Sequence, residues 1–447
     1  MALQRHDHMI RLLFLIFLVG IVCIFCTCNK KEQCLTCPPH TTGTVELSLN
    51  YTECTEVWLK LKFTDNNQPR GYTVLKDGKQ LLSGTLLSVD TVLIDTSVVA
   101  GHDYTYVAQR LNNSTLCDSS TPLSVHTLDS ISHAIQWVID TLGAQGLIRD
   151  VWVFDRNNAW AVGEIYLKDS TGQINMSNPY NAAYWDGSKW TLRKIGFYTF
   201  CGQQYQNAYP ASSIFAFSLT DIWIAMNGSE IARWNGISQT ETMCTPISIS
   251  KLWGTSSNDI YAVGALGGIA HYNGSTWTKL TSGTTVDLQD IYGIDATNIW
   301  ATGTNSDYNG TVILSFDGTT WKKLYEGNYY GFSSVWTSTG RILFVAGDSG
   351  PLTLESNTLI FKKLLTPASY VMYSVRATGA NDIFFTGQNS EVTHYNGSTY
   401  YLYADVQSML NADTWWYSVK ASKDFVVVGG GYDTGYNFAP VVARGYR

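Results

Sequence analysis

Charge is scarce in this chain. Only 15% of its 447 residues are Asp, Glu, Lys or Arg, well under the usual quarter. Basic residues are the scarcer kind, 29 against 36 acidic ones, giving a formal net charge of -7. A protein that grips nucleic acid needs a cationic face to displace counterions from phosphates, so a general nucleic-acid binder is excluded. Catalytic signatures are missing as well: there is no glycine-rich phosphate loop, no HExxH pair and no GxSxG elbow. The single CxxC, Cys34 to Cys37, has no second pair to complete a zinc site, so no metal and no cofactor is expected. What is plentiful excludes disorder as the dominant state. Aromatics reach 13%, and 38 Gly accompany 27 Tyr and 15 Trp, a composition of β-structure with many tight turns. At this length two or three domains are expected.

Residues 1–28 read as an address. Arg5 and Arg11 precede an apolar run that begins at Leu12 and can be extended through Cys28. A positive flank before a short apolar stretch is a secretory leader, and the run also reaches the lower limit of about 17–25 residues for a spanning anchor. Cys26-Thr27-Cys28-Asn29 then resembles a bacterial lipoprotein signal, with Phe25 and Cys26 departing from its preferred residues. That resemblance implies lipidation of Cys28 as the mature N-terminus and membrane attachment there. Soluble secretion and an uncleaved anchor are the alternatives. Polar residues 29–42 would be the linker.

Export opens an oxidising compartment, where cysteines become candidate bridges. Cys54 and Cys117 share one predicted domain, and Cys201 and Cys244 one repeat neighbourhood. Residues 43–127 alternate with period two, as in Glu56-Val-Trp-Leu-Lys-Leu-Lys-Phe63, with Asp77-Gly78 supplying a hairpin turn. Short strands at this spacing predict a β-sandwich. The order through Ala100-Gly-His-Asp-Tyr-Thr-Tyr-Val107 resembles a fibronectin type III domain. The resemblance implies a tyrosine corner at Tyr104, a core aromatic at Trp58 or Phe63, and a spacer or adhesive role. No Arg-Gly-Asp loop is present.

Residues 130–447 repeat one pattern. Its clearest copy is Leu252-Trp-Gly-Thr-Ser-Ser-Asn-Asp-Ile-Tyr-Ala-Val-Gly264 followed by Ile269-Ala-His-Tyr-Asn-Gly-Ser-Thr-Trp277. An apolar-aromatic strand, a polar turn, a strand ending in Gly, a third strand, an Asn-Gly turn and a Trp-led strand make a four-stranded meander. The first-strand pairs are Val151-Trp152, Ile214-Phe215, Leu252-Trp253, Ile291-Tyr292, Val335-Trp336, Val375-Arg376 and Val419-Lys420. Four strands in about 40 residues is one propeller blade. The fold class is therefore all-β: a fibronectin-like sandwich followed by a seven-bladed propeller. The last repeat lacks a fourth strand, and an orphan strand, 133–140, precedes the first. We expect 133–140 to complete the last blade, with Trp137 in the vacant aromatic slot, so that no strand edge is left open.

Ser315-Phe-Asp-Gly-Thr-Thr-Trp321 resembles the Asp-box of sialidase-like propellers, one residue short. The whole architecture resembles exported fibronectin-plus-propeller proteins of Bacteroidetes-type bacteria, which implies outer-membrane, surface or periplasm-facing location rather than an activity. Two insertions, 164–181 and 196–213, are longer than the repeat requires and fall on the face where propellers meet ligands. They carry Tyr166, Tyr180, Tyr198, Tyr205 and Tyr209. Further loops add Tyr308, Tyr330 and Tyr432. Tyr rings beside Asn and Gln suit a glycan or an envelope protein; packing of the same rings onto the rim is the plainer alternative. His271 and His394 share one repeat slot, and tolerance of a polar ring there explains them better than a metal. The Asn-Gly-Ser/Thr strings at Asn273 and Asn396 sit in repeat turns. The expected function is a monomeric surface binding protein. The competing classes are a glycan-cleaving enzyme using convergent arginines or paired carboxylates, and a scaffold of a surface complex.

Overall fold

The computed structural model describes residues 43–66, 70–112, 114–203, 205–305, 310–328, 331–364, 366, 370–410 and 413–447. The leader with Cys28, the linker, Tyr308 and Tyr330 lie outside the described residues. Among the described residues no helix is long and apolar enough to cross a membrane. The chain divides after Thr127 into two compact units, each all-β.

In the first unit, Val45–Thr52, Val57–Phe63 and Asp90–Asp95 form a three-stranded antiparallel sheet. Arg70–Lys76 lies between Lys79–Leu86 and Asp103–Asn112 in a second sheet, which Thr115–Ser119 and Leu123–His126 extend. The period of two has its physical basis here: Val57, Leu59, Leu61 and Phe63 are buried while Lys60 and Lys62 face water. Phe63 is the core aromatic; Trp58 is half-buried and donates its indole N–H to Glu56. The Tyr104 hydroxyl accepts the Val99 N–H at 3.1 Å, tying the strand's start back to the preceding loop. Cys54 and Cys117 are not joined to each other. Cys54 follows a strand of the three-stranded sheet, whereas Cys117 belongs to the other sheet and is itself disulfide-bonded.

Among its described residues the second unit contains seven four-stranded antiparallel sheets in succession. Sheets 1 to 6 span residues 145–193, 211–244, 249–280, 288–327, 332–363 and 372–402. Sheet 7 takes three strands from 414–446 and its fourth, Gln136–Thr141, from before sheet 1, paired antiparallel with Phe438–Tyr446. Hydrophobic clusters form between successive sheets. Trp160 and Val162 of sheet 1 meet Ile214 and Ile222 of sheet 2; the series continues until Phe425 and Val427 of sheet 7 pack against Ile148 and Val151 of sheet 1. The second-strand aromatics fill these gaps, Trp223 and Phe384 with no exposed surface at all.

The fourth-strand aromatics share one face. In sheets 1, 3, 4 and 6 Trp190, Trp277, Trp321 and Tyr400 pair directly with the last residue of the third strand. In sheets 5 and 7 the third strand runs one residue further, and Phe361 and Trp137 pair with Leu354 and Gly445. Each of these side chains packs toward the preceding sheet, Trp277 on sheet 2 and Trp321 on sheet 3. Trp137 does the same, buried edge-on against Tyr403 beside sheet 6, and so fills the expected slot.

Two regularities were not anticipated. Every first strand carries a bulge at the same point, two residues before its buried apolar position. Such bulges re-aim a side chain, here the residue just before the apolar one: Asp150, Ser213, Lys251, Asp290, Ser334, Ser374 and Ser418. All of these but Ser374 take part in a hydrogen-bonded hub. Asp150 accepts the Ile214 N–H at 2.9 Å, Ser213 Oγ the Leu252 N–H at 3.2 Å, Asp290 the Val335 N–H at 3.0 Å and Ser334 Oγ the Val375 N–H at 3.1 Å. Ser418 Oγ of sheet 7 accepts the Val151 N–H of sheet 1 at 3.3 Å. Lys251 cannot accept; it donates across the hub to Asp150 at 2.6 Å instead.

Candidate functional site

The hairpin turns behave as their residues dictate. Asn273 Oδ1 accepts the N–H groups of Ser275 and Thr276 at 3.1 and 3.0 Å, and Asn396 does the same for Ser398 and Thr399. Gly274 and Gly397 follow at φ 92°, where a side chain is strained. The sequon asparagines at these two positions are thus turn-formers.

At the opposite ends of the same strands, the two insertions are built differently. The first folds as a tongue: Lys168 bridges to Ile174, and the Asp169 carboxylate accepts the Thr171 hydroxyl and the N–H groups of Thr171 and Gln173, bonds that hold its pKa down although it is exposed. Tyr166 and Tyr180 sit half-buried at the tongue's base. Burial, then the charge of Glu164, raises the Tyr166 pKa, and Lys194 Nζ lies 5.0 Å from the Tyr180 ring.

The second insertion is stitched to sheet 2. A Cys201–Cys244 disulfide joins it to the fourth strand there. Tyr198 N–H donates to the buried Glu230 at 2.7 Å, and burial raises the Glu230 pKa. Gly196 and Gln239 exchange two hydrogen bonds at 2.8 Å. The fully buried Asn181 amide donates to Ile195 and Tyr209 carbonyls. The Tyr209 hydroxyl lies 2.6 Å from Thr199 Oγ1. The Tyr198 backbone and the Tyr209 hydroxyl thus help fix the insertion; Tyr205 projects into water, 81% exposed. Cys201, Cys244 and Glu230 lie close enough for a metal site, but the disulfide takes both sulfurs out of use as thiolate ligands.

The first insertion meets the hairpin of sheet 7 across a groove of about 690 Å³. Leu142, Leu167 and Ile174 give it aliphatic walls; Tyr432 and Tyr436 stand on the sheet 7 side with Asn437. Tyr436 is 96% exposed. The floor is tight: a Cβ on Gly143 would lie 2.9 Å from the Tyr166 carbonyl oxygen and 2.8 Å from Ile165 Cγ2. Of the anticipated tyrosines the groove takes in Tyr432, with Tyr166 beneath its edge; Tyr198, Tyr205 and Tyr209 lie apart from it. Sequence reasoning missed the aliphatic wall, because Leu142 and Ile174 carry no signal until the strand order sets 136–141 beside sheet 1.

Six of the arginines in the second unit each pair with a separate carboxylate. Arg149 pairs with Glu164, Arg233 with Asp221, Arg341 with Glu355, Arg376 with Asp290, Arg444 with Asp140 and Arg447 with Asp382. His271 and His394 each lean on the aspartate that opens the second strand, Asp259 at 2.7 Å and Asp382 at 3.0 Å, and stack on Tyr261 and Phe384. Arg233, Asp221 and Trp223 repeat that arrangement in sheet 2, which makes it a device of the repeat.

No protein-family model matches the chain, and no curated protein matches it. Solved structures do share the fold. A structure of YCF48 bound to D1 peptide superposes with a TM-score of 0.51 at 14% identity, covering 70% of this chain and 95% of that one. The WD40 β-propeller domain of Doa1 gives 0.46 at 12%, over 70% and 97%. The extracellular domain of the putative one component system BT4673 from B. thetaiotaomicron gives 0.43 at 15%, over 68% and 39%. At such identities the likeness concerns fold alone: the chain contains a β-propeller-like unit.

Proposed function

We propose that this protein is an exported binding module in which a seven-bladed propeller captures a polypeptide partner in the groove between its first and last blades. Residues 43–127 serve as a fibronectin-type spacer, and lipidation of Cys28 holds the chain to the envelope. The two-sheet order of the first unit and the Tyr104 to Val99 bond support the spacer reading. The cyclic order of clusters and the Ser418 to Val151 bond support closure.

The observation that carries the binding role is the groove itself, with Tyr436 almost wholly exposed above aliphatic walls. Leu142, Leu167 and Ile174 offer nothing to sugar hydroxyls but match the apolar side chains of a peptide, while Tyr and Asn supply the polar contacts. YCF48, which shares the fold, was solved with a peptide bound. Panning a displayed peptide library on the purified protein tests this, with a glycan array in parallel. Enriched peptides should lose at least tenfold in affinity on Y436A. Glycan retention without peptide enrichment, or peptide binding indifferent to Y436A, would overturn the reading. Acyl transfer to Cys28, abolished in C28A, tests the anchor.

A further inference from the structure

The hub leaves one cation without a counter-charge. Asp150 is met by Lys251 at 2.6 Å and by the hydroxyls of Ser213 and Ser418 at 3.0 and 2.7 Å. Asp290 is met by Arg376 at 2.8 Å and by Ser334 at 2.6 Å. Lys420 is the third cation. Among the described residues its ammonium makes no hydrogen bond and no ion pair, and its Nζ stands 4.1 Å from the centroid of the Trp152 ring.

This ammonium lines a cavity of about 160 Å³ with Arg376, Trp152, Phe215, Trp253 and Tyr292. The aromatic residues follow the apolar hub positions, so the cavity lies toward the turns joining first and second strands. The tyrosine groove lies at the other ends of those strands. Asp150 and Lys251 line the cavity as well, and about 150 Å³ is room enough for a benzene ring. Lys420 is half-buried, and a cation partly withdrawn from water with no counter-charge in contact is unfavourable; an anion entering beside it reduces that cost. Aromatic faces around a cation suit a flat apolar body that carries the anion.

We propose that the hub cavity is a binding site for a small carboxylate with a flat apolar body, the carboxylate pairing with the Lys420 ammonium and the body lying against the Trp152 and Phe215 rings. Four charged groups face Lys420: Arg376 and Lys251 disfavour its protonation, Asp150 and Asp290 favour it. Burial is the largest influence, and the balance pushes its pKa down to about 7. Carboxylate binding therefore draws a proton onto Lys420 and weakens as pH rises.

Tryptophan fluorescence of the full chain, titrated with benzoate, benzamide and acetate, tests the proposal. At pH 6 benzoate should bind saturably, at least tenfold tighter than neutral benzamide and tighter than acetate, which has no ring. Each pH unit above about 7 should weaken benzoate about tenfold. K420R should keep binding within a few-fold and K420M should lose at least tenfold, with melting curves showing both variants folded. Absence of saturable benzoate binding up to tens of millimolar, equal binding of benzamide, or unchanged binding by K420M would each overturn the assignment.

Discussion

At the scale of single residues, the hub side chains matter more than their modest types suggest. Asp150 is almost wholly buried and receives Lys251, two serine hydroxyls and a backbone N–H from the next sheet. D150A strands the Lys251 ammonium and the Ile214 N–H together. Breaking a buried pair on one side costs about 3–5 kcal/mol, so urea unfolding of D150A should show a loss of that order, against about 1 kcal/mol for S213A. The histidines predict pH dependence. His133 and His394 face each other through their Nδ1 atoms at 2.9 Å, which requires one neutral ring. Burial lowers both pKa values, with the His394 charge adding to it for His133 and Asp382 opposing it for His394. The unfolded chain thus binds more protons, and the stability present above about pH 6.5 is lost as pH falls through the lower folded values. Melting temperature should drop between pH 7 and 5, and H133Q should flatten that drop. The hub residues were legible in principle: a small polar or charged residue precedes every apolar-aromatic pair. Their meaning was not, because it depends on a bulge that turns them inward.

At the scale of elements, the repeat was readable because its turn chemistry and aromatic slots recur. The slots are not equal, however. Trp277 is half-buried on the fourth strand, whereas Trp223 on the second has no exposed surface. W223A should cost about 3–5 kcal/mol, and W277A clearly less, a comparison that denaturant curves resolve. The insertions show where reading from sequence stopped. Their tyrosines were visible, but the backbone of Tyr198 and Tyr209 is held by Glu230 and Asn181, partners distant in sequence. The disulfide at Cys201 and Cys244 closes a separation of 43 residues. Removing it in C244S should cost about 2–4 kcal/mol and raise proteolytic cutting within 196–213.

At the largest scale, the account rests on the first and last sheets of the second unit meeting. Strand Gln136–Thr141 completes sheet 7, and the packing of sheet 7 on sheet 1 returns the series to its start. An open stack would leave Phe425, Val427 and Val442 facing water. The missing fourth strand in the last repeat was readable as an absence, and Trp137 as its aromatic, because the other fourth strands carry an aromatic on the same face; its partner Tyr403 was not, since that residue lies beyond the fourth strand of sheet 6. If the ring is closed, residues 136–141 cannot leave without opening sheets 6, 7 and 1 together, since Trp137 packs with Tyr403 and Asp140 binds Arg444. Native-state hydrogen exchange on the full chain measures this directly. The account predicts that amides of 137–141 exchange as slowly as those of the first strand, Gln145–Asp155, through one shared unfolding. Exchange at least a hundredfold faster in 137–141, with Gln145–Asp155 still protected, would contradict closure.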